Sequence, residues 1–141
     1  MTAIVVCSHA ELAQGFLDAV DMIAGGQEQL FAVGLQPGEG LQDLTRRIAD
    51  CIDRSGAEKA LVFADLFGAS PANAAAMSLF SVQAETVLVT GVNLAAVLEA
   101  ALSRDGGESL EAFAARICGA GRENLRVVTK QTIQNAGGAA L

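Results

Sequence analysis

At 141 residues the chain has the length of one ordinary domain, and with 52% hydrophobic against 18% charged residues it carries enough apolar material for a single buried core. A net charge of −7, with nine Lys and Arg scattered along the sequence, leaves no basic stripe to neutralise a phosphate backbone, so no nucleic acid partner is expected. No apolar run reaches the roughly 18 residues of a membrane-spanning helix, and "MTAIVVCSHAEL" has no basic region ahead of its short apolar run, so a soluble cytoplasmic protein is expected.

The first predicted strand is "AIVVC" (Ala3 to Cys7), a continuous rather than alternating apolar run, as in a parallel strand covered on both faces. Leu12, Phe16, Val20 and Ile23 then recur at helical spacing. A second strand, "LFAVGL" (Leu30 to Leu35), leads into "QPGEG" (Gln36 to Gly40), which lacks the GxGxxG and GxxxxGK[ST] spacings of nucleotide cradles and reads as a loop. Leu41, Leu44, Ile48 and Ile52 mark the second helix, and "ALVFA" (Ala60 to Ala64) is the third strand. "SPANAAAMSLF" predicts a third helix with Ser70 as N-cap and Pro71 at the first helical position, where its missing N–H costs nothing.

"TVLVT" (Thr86 to Thr90) is the fourth strand, and Asn93 in "GVNLAAVLEAAL" caps the fourth helix. After the "RDGG" turn (Arg104 to Gly107), Leu110, Phe113 and Ile117 mark a fifth helix, and "LRVV" (Leu125 to Val128) reads as a last strand. "KQTIQNAGGAAL" has the character of a frayed tail, so residues 1–130 are expected to form the domain and 131–141 a flexible extension. Cys7, Cys51 and Cys118 are odd in number and lie in apolar patterns, as small core residues of a reducing compartment do. With a single His they offer no zinc-ligand spacing, and neither metal nor cofactor is expected.

The βαβαβαβα order predicts an α/β domain: an open, doubly wound, mainly parallel sheet of order 2-1-3-4 with helices on both faces. Ligand chemistry in such a sheet gathers outside the carboxyl ends of the strands flanking the switch point, here the first and third. His9, the only histidine, lies just past the first strand and Asp65 just past the third, so the topology predicts them side by side. A carboxylate on one ring nitrogen sets the tautomer and leaves the other nitrogen an unprotonated nucleophile.

The loop "DLFGASPAN" adds the N–H groups of Gly68 and Ala69, the Ser70 hydroxyl and a helix N-terminus, a combination that favours an anion such as a phosphoryl group. Together these parts describe a phosphoryl-accepting histidine. Singly, each has an ordinary structural reading: His9 packing in a loop, Asp65 in an Asx-turn, Ser70 and Pro71 opening a helix. Phe67, in the same loop, is expected partly exposed toward a partner. A serine hydrolase is poorly supported, since Ser8 and His9 point apart in an extended segment and Ser70 lacks the GxSxG elbow.

"IVVCSHAELAQGFLDAVDMIAGGQE", "VFADLFGASPANAAA" and "VTGVNLAAVLEAAL", in this order, resemble the EIIA component of the mannose family of the bacterial phosphoenolpyruvate-dependent sugar phosphotransferase system (PTS) over about residues 2 to 128. The resemblance implies a phosphocarrier that accepts a phosphoryl group from phosphohistidine on HPr and passes it to a IIB domain, which serves the membrane IIC and IID components. His9 matches the phosphorylated histidine, Asp65 its partner carboxylate and Ser70 the hydroxyl near the phosphoryl group. The resemblance also implies a homodimer to which the last strand, here "LRVV", contributes. Ala69 stands where many members carry a second Gly, and no fused IIB domain is expected. A dihydroxyacetone kinase phosphotransfer subunit and a regulatory binding module with the same fold are the alternative readings.

Overall fold

The computed structural model describes residues 1–138, and its four strands run parallel in the order β2-β1-β3-β4. They are β1 (Ala3–His9), β2 (Leu30–Leu35), β3 (Lys59–Ala64) and β4 (Glu85–Thr90). The connecting helices are α1 (Leu12–Ala24), α2 (Leu41–Ser55) and α3 (Ser70–Ser78), with α4 (Leu94–Ser103), α5 (Leu110–Asn124) and α6 (Lys130–Asn135) following β4. This is the doubly wound α/β sheet expected from the apolar runs, and its order puts the ends of β1 and β3 side by side.

Alternation along each central strand divides the core between the two faces. Ile4, Val6, Leu61 and Phe63 point toward α1, α4 and α5, where they meet Ala13, Val20, Val97, Phe113 and Ile117. Ala3, Val5, Cys7, Ala60 and Val62 point the other way, against Leu44, Ile48 and Ile52 of α2 and Ala74 and Ala75 of α3. Both faces are covered, which is why β1 and β3 read as unbroken apolar runs rather than alternating ones. The apolar stripe of α2 is buried as expected from Leu44 onward, while that of α1 is rotated. Ala13, Phe16, Leu17 and Val20 make its core contact, leaving Leu12 and Ile23 exposed.

Helix ends show the same local logic. The Asn93 side chain accepts the Ala96 N–H, capping α4 as expected, and Ser109 accepts from Ala112 at the start of α5. Ser70 is not the cap of α3. The Asn73 N–H bonds to the Ala69 carbonyl at 3.0 Å, so the helix opens one residue earlier than expected, with Ala69 as an extended N-cap and Ser70 inside the first turn.

The C-terminal strand is a further correction. Leu125–Val128 follows α5, but it pairs with no strand among the described residues, and Leu125 and Val127 are 87% and 88% exposed. An apolar segment becomes a strand only by exchanging hydrogen bonds with a neighbour, and the four-stranded sheet supplies none here. Where a frayed tail was expected, Lys130–Asn135 is helical. Thr129 and Thr132 satisfy each other's backbone N–H in a capping box, which suffices to start a short helix. Residues 139–141, the end of the expected tail, lie outside the described residues. Among the described residues no helix is long and apolar enough to cross a membrane.

Candidate functional site

His9 is the last residue of β1, and Asp65 follows β3 directly, where the Cys7–Ala64 register brings the two strand ends level. One carboxylate oxygen, Asp65 Oδ2, accepts the His9 backbone N–H at 2.8 Å and lies 2.8 Å from His9 Nδ1. The pairing expected from topology is thus a direct contact held at two points. With the proton on Nδ1 facing the carboxylate, Nε2 carries a free lone pair. The His9 side chain is 50% exposed and that of Asp65 10%, so the ring reaches solvent from a shielded anchor.

Burial pushes the Asp65 pKa upward, but the two hydrogen bonds from His9 and its positive form outweigh that and hold the carboxyl below its usual range. Asp65 therefore stays an acceptor at neutral pH. Its other oxygen, Oδ1, is buried and meets no well-aligned hydrogen-bond donor among the described residues, so the carboxylate is compensated mainly by His9, with a smaller contribution from the Leu66 backbone N–H.

The chain leaves β1 through a turn that sequence reasoning missed. Ala10 has φ +47°, a left-handed conformation uncommon outside glycine, and its N–H donates to Leu35 O at 3.0 Å. Ser8, fully buried, accepts the Ala13 N–H at 2.7 Å and donates to His9 O at 3.0 Å, tying the start of α1 to the backbone of the histidine. A serine at a strand-to-helix junction is itself a capping signal, and Ser8 was legible on that ground. Its hydroxyl is spent in this way, which leaves it no nucleophilic role.

The loop after Asp65 contributes less uniformly than expected. Gly68 has φ +77° and its carbonyl accepts Asn73 Nδ2 at 3.2 Å, while its own N–H meets no acceptor among the described residues. The Ala69 N–H is already engaged, donating to Leu66 O at 3.3 Å in the turn. Ser70 is exposed in the first turn of α3, and its hydroxyl has no partner among the described residues. Leu66 and Phe67 project from the same loop, Phe67 at 84% exposure, and form an apolar lip beside the histidine edge.

Two further groups brace this edge. Arg47 of α2 donates to Glu39 at 2.8 and 2.9 Å and to Gly34 O at 3.0 Å, fixing the "QPGEG" loop against the end of β2. Cys7, buried two residues before His9 on β1, has its thiol pushed strongly up by burial, and burial also raises Cys51, so both act as packing residues rather than nucleophiles. Among the described residues no group of three or more His, Cys, Asp or Glu is placed to hold a metal ion.

Comparison with known proteins converges on one family. The model of the family described as EIIA-man, PTS system fructose IIA component, matches residues 3–118. The sorbose-specific PTS EIIA component of Lacticaseibacillus casei is 35% identical over 100 residues, 71% of this chain and 72% of the relative. The mannose-specific EIIAB component of Escherichia coli K12 is 27% identical over 135 residues; the alignment takes in 95% of this chain, yet the chain spans only 42% of that relative. Among solved structures, the mannose/sorbose specific IIA subunit from Enterococcus faecalis superposes with a TM-score of 0.77 at 26% identity, covering 91% of this chain and 95% of that one. EIIA from Streptococcus agalactiae has the same fold, with a TM-score of 0.77 at 24% identity over 94% of this chain and 99% of that one.

Proposed function

The chain belongs to the EIIA-man family of PTS sugar phosphotransfer components, and on that premise we propose that it is a phosphocarrier whose His9 Nε2 accepts a phosphoryl group from phospho-HPr and passes it to a IIB domain. The observation that carries this reading is the single Asp65 oxygen holding both the backbone and Nδ1 of an otherwise exposed histidine.

In the first step the Nε2 lone pair attacks phosphorus. The Nε2–P bond forms as the donor's N–P bond breaks, and the electron pair of that bond stays on the donor imidazole. The His9 ring gains positive charge while Nδ1 keeps its proton, and the Asp65 carboxylate beside it stabilises that charge. The phosphoryl oxygens draw on donors near the loop: the Ser70 hydroxyl, the Gly68 N–H and the first turn of α3. Onward transfer returns the N–P electron pair to Nε2 as a IIB nucleophile takes the phosphoryl group, so the carrier is regenerated without water or cofactor. Half-exposure of His9 suits this role, since both donor and acceptor are protein side chains that must reach it.

In this reading the protein works in the cytoplasm as a homodimer and meets the membrane IIC and IID components only through IIB. The exposed, apolar and unpaired Leu125–Val128 is the segment through which two copies pair.

The test is intact-mass analysis after incubation with phosphoenolpyruvate, enzyme I and HPr, with His9→Ala alongside. One acid-labile phosphoryl adduct, absent from the variant, is expected; no adduct in the presence of competent HPr would overturn the reading. Offering the phosphorylated chain a IIB domain and, separately, a dihydroxyacetone kinase subunit then identifies the acceptor.

A further inference from the structure

We propose that Gly34, on the strand beside His9, is a positioning residue for the histidine: its missing side chain leaves the space into which the Ala10 carbonyl turns. The proposal rests on His9 as the phosphoryl acceptor for its rate readout, while its structural readout is independent of that role.

Strands β1 and β2 pair with Ser8 opposite Gly34 and His9 opposite Leu35. A Cβ built on Gly34 would lie 2.1 Å from Ala10 O and 3.2 Å from Ala10 C. Both are backbone atoms, and no rotamer change relieves such a contact. Gly34 has no positive φ, so its backbone conformation accepts any residue; space alone demands glycine.

Neither side of the contact is free to retreat. The Gly34 carbonyl accepts Arg47 Nη1 at 3.0 Å and Gln36 Nε2 at 3.1 Å, which pins the end of β2. Ala10 is held in its left-handed turn by its bond to Leu35 O, while Ser8 fixes the His9 carbonyl and the start of α1. A methyl group at position 34 must therefore push the Ala10 peptide, and with it the residue immediately before. His9 is sensitive to that displacement because its N–H and Nδ1 converge at 2.8 Å each on one oxygen, so a shift that lengthens either bond releases the ring. The histidine is thus oriented from two strands, by a carboxylate on β3's side and by an empty position on β2.

His9 is the only histidine, so histidine-selective 15N labelling yields one imidazole. Long-range 15N–1H correlation at neutral pH is expected to show the Nδ1–H tautomer in the wild type and a mixture of tautomers in Gly34→Ala. Phosphoryl uptake from phospho-HPr should fall about 100-fold in that variant, the scale of loss for a misplacement of about 1 Å. Adding Ala10→Gly to Gly34→Ala should restore both, because glycine lets the carbonyl take another path; Gly119→Ala, where an added Cβ meets open space, should change neither.

An unchanged Nδ1–H tautomer in Gly34→Ala overturns the proposal whatever its rate. If Gly34→Ala does not fold, the double variant decides: a folded protein with the wild-type tautomer supports the clash, and a second failure to fold overturns it. A tautomer change in Gly34→Ala, with a wild type that takes up no phosphoryl group, sustains the positioning role and overturns the carrier reading instead.

Discussion

The two ends of the sheet use polar groups in opposite ways. At the amino end, Asp105 accepts the Thr2 N–H at 3.0 Å and the Thr2 hydroxyl at 2.7 Å, while Arg104 donates to the carbonyls of Thr2, Gln29 and Glu28. The guanidinium and the carboxylate there are consumed in tying the α4–α5 turn to the residues just before β1 and β2. At the carboxyl end, Asp65 spends one oxygen on holding His9, and the ring's Nε2, the proposed phosphoryl acceptor, is left free. The contrast is between a clamp that leaves nothing reactive and an anchor that leaves one atom free. Stability and reactivity are therefore separable by mutation.

The largest effect expected is at the open end. His9→Ala should abolish the phosphoryl adduct and lower stability by about 1–2 kcal/mol, since the shielded Asp65 carboxylate loses the ring's hydrogen bond but keeps that of the His9 backbone N–H. Intact mass and calorimetry check both halves, and a strongly destabilised variant would break the comparison.

Asp65→Ala should slow phosphoryl uptake by about 100- to 10,000-fold, the range for losing a positioned proton-holding group, with an adduct still formed at long times. Rapid-quench measurement of the uptake rate tests it. A rate within threefold of wild type would mean that the tautomer is set by something other than this carboxylate.

Arg104→Ala attacks the closed end. It strips hydrogen bonds from three carbonyls at the strand starts and should destabilise the fold by about 2–3 kcal/mol, with the uptake rate unchanged. Urea unfolding beside the rapid-quench rate would reveal any leakage of this effect to the far edge.

The smallest effect is in pH dependence, and it joins the two ends. Burial raises the pKa of Asp65 and of Asp105, but hydrogen bonds from His9 and from Thr2 respectively outweigh it, so both carboxyls are depressed in the folded state. A depressed folded value means that their stabilisation is present above the unfolded value of about 3.9 and is lost as pH falls from there through the folded value. Between pH 7 and 5 stability should accordingly be flat with respect to these groups, and Asp105→Asn should flatten the acid limb below about pH 4. Circular dichroism along an acid titration reads this directly.

Much of the framework was legible because parallel strands buried on both faces must be apolar at every position. β2 coincides with "LFAVGL", and the other three strands extend the predicted runs by only one or two residues. Asn93 was legible as a cap because its side chain satisfies a local N–H, three residues away. Ser70 misled for a related reason: serine before proline reads as a cap, but the first helical bond runs to the carbonyl of Ala69. "LRVV" carried the β-favouring residues of a strand, and its composition says nothing about whether a neighbouring strand is present to pair with it.

The order of elements, the two-sided core and, through that order, the meeting of His9 with Asp65 follow from the run of residues alone, because apolar periodicity and right-handed crossovers leave few alternatives. Packing in the folded chain set two further features: a single oxygen holds the histidine twice, and Ala10 turns left-handed over an empty position at Gly34. It also decided that the amino end of the sheet is closed by Arg104 and Asp105. These are contacts between residues 24 to 103 positions apart, and their existence depends on ångström-scale packing to which a pattern of polar and apolar letters is blind.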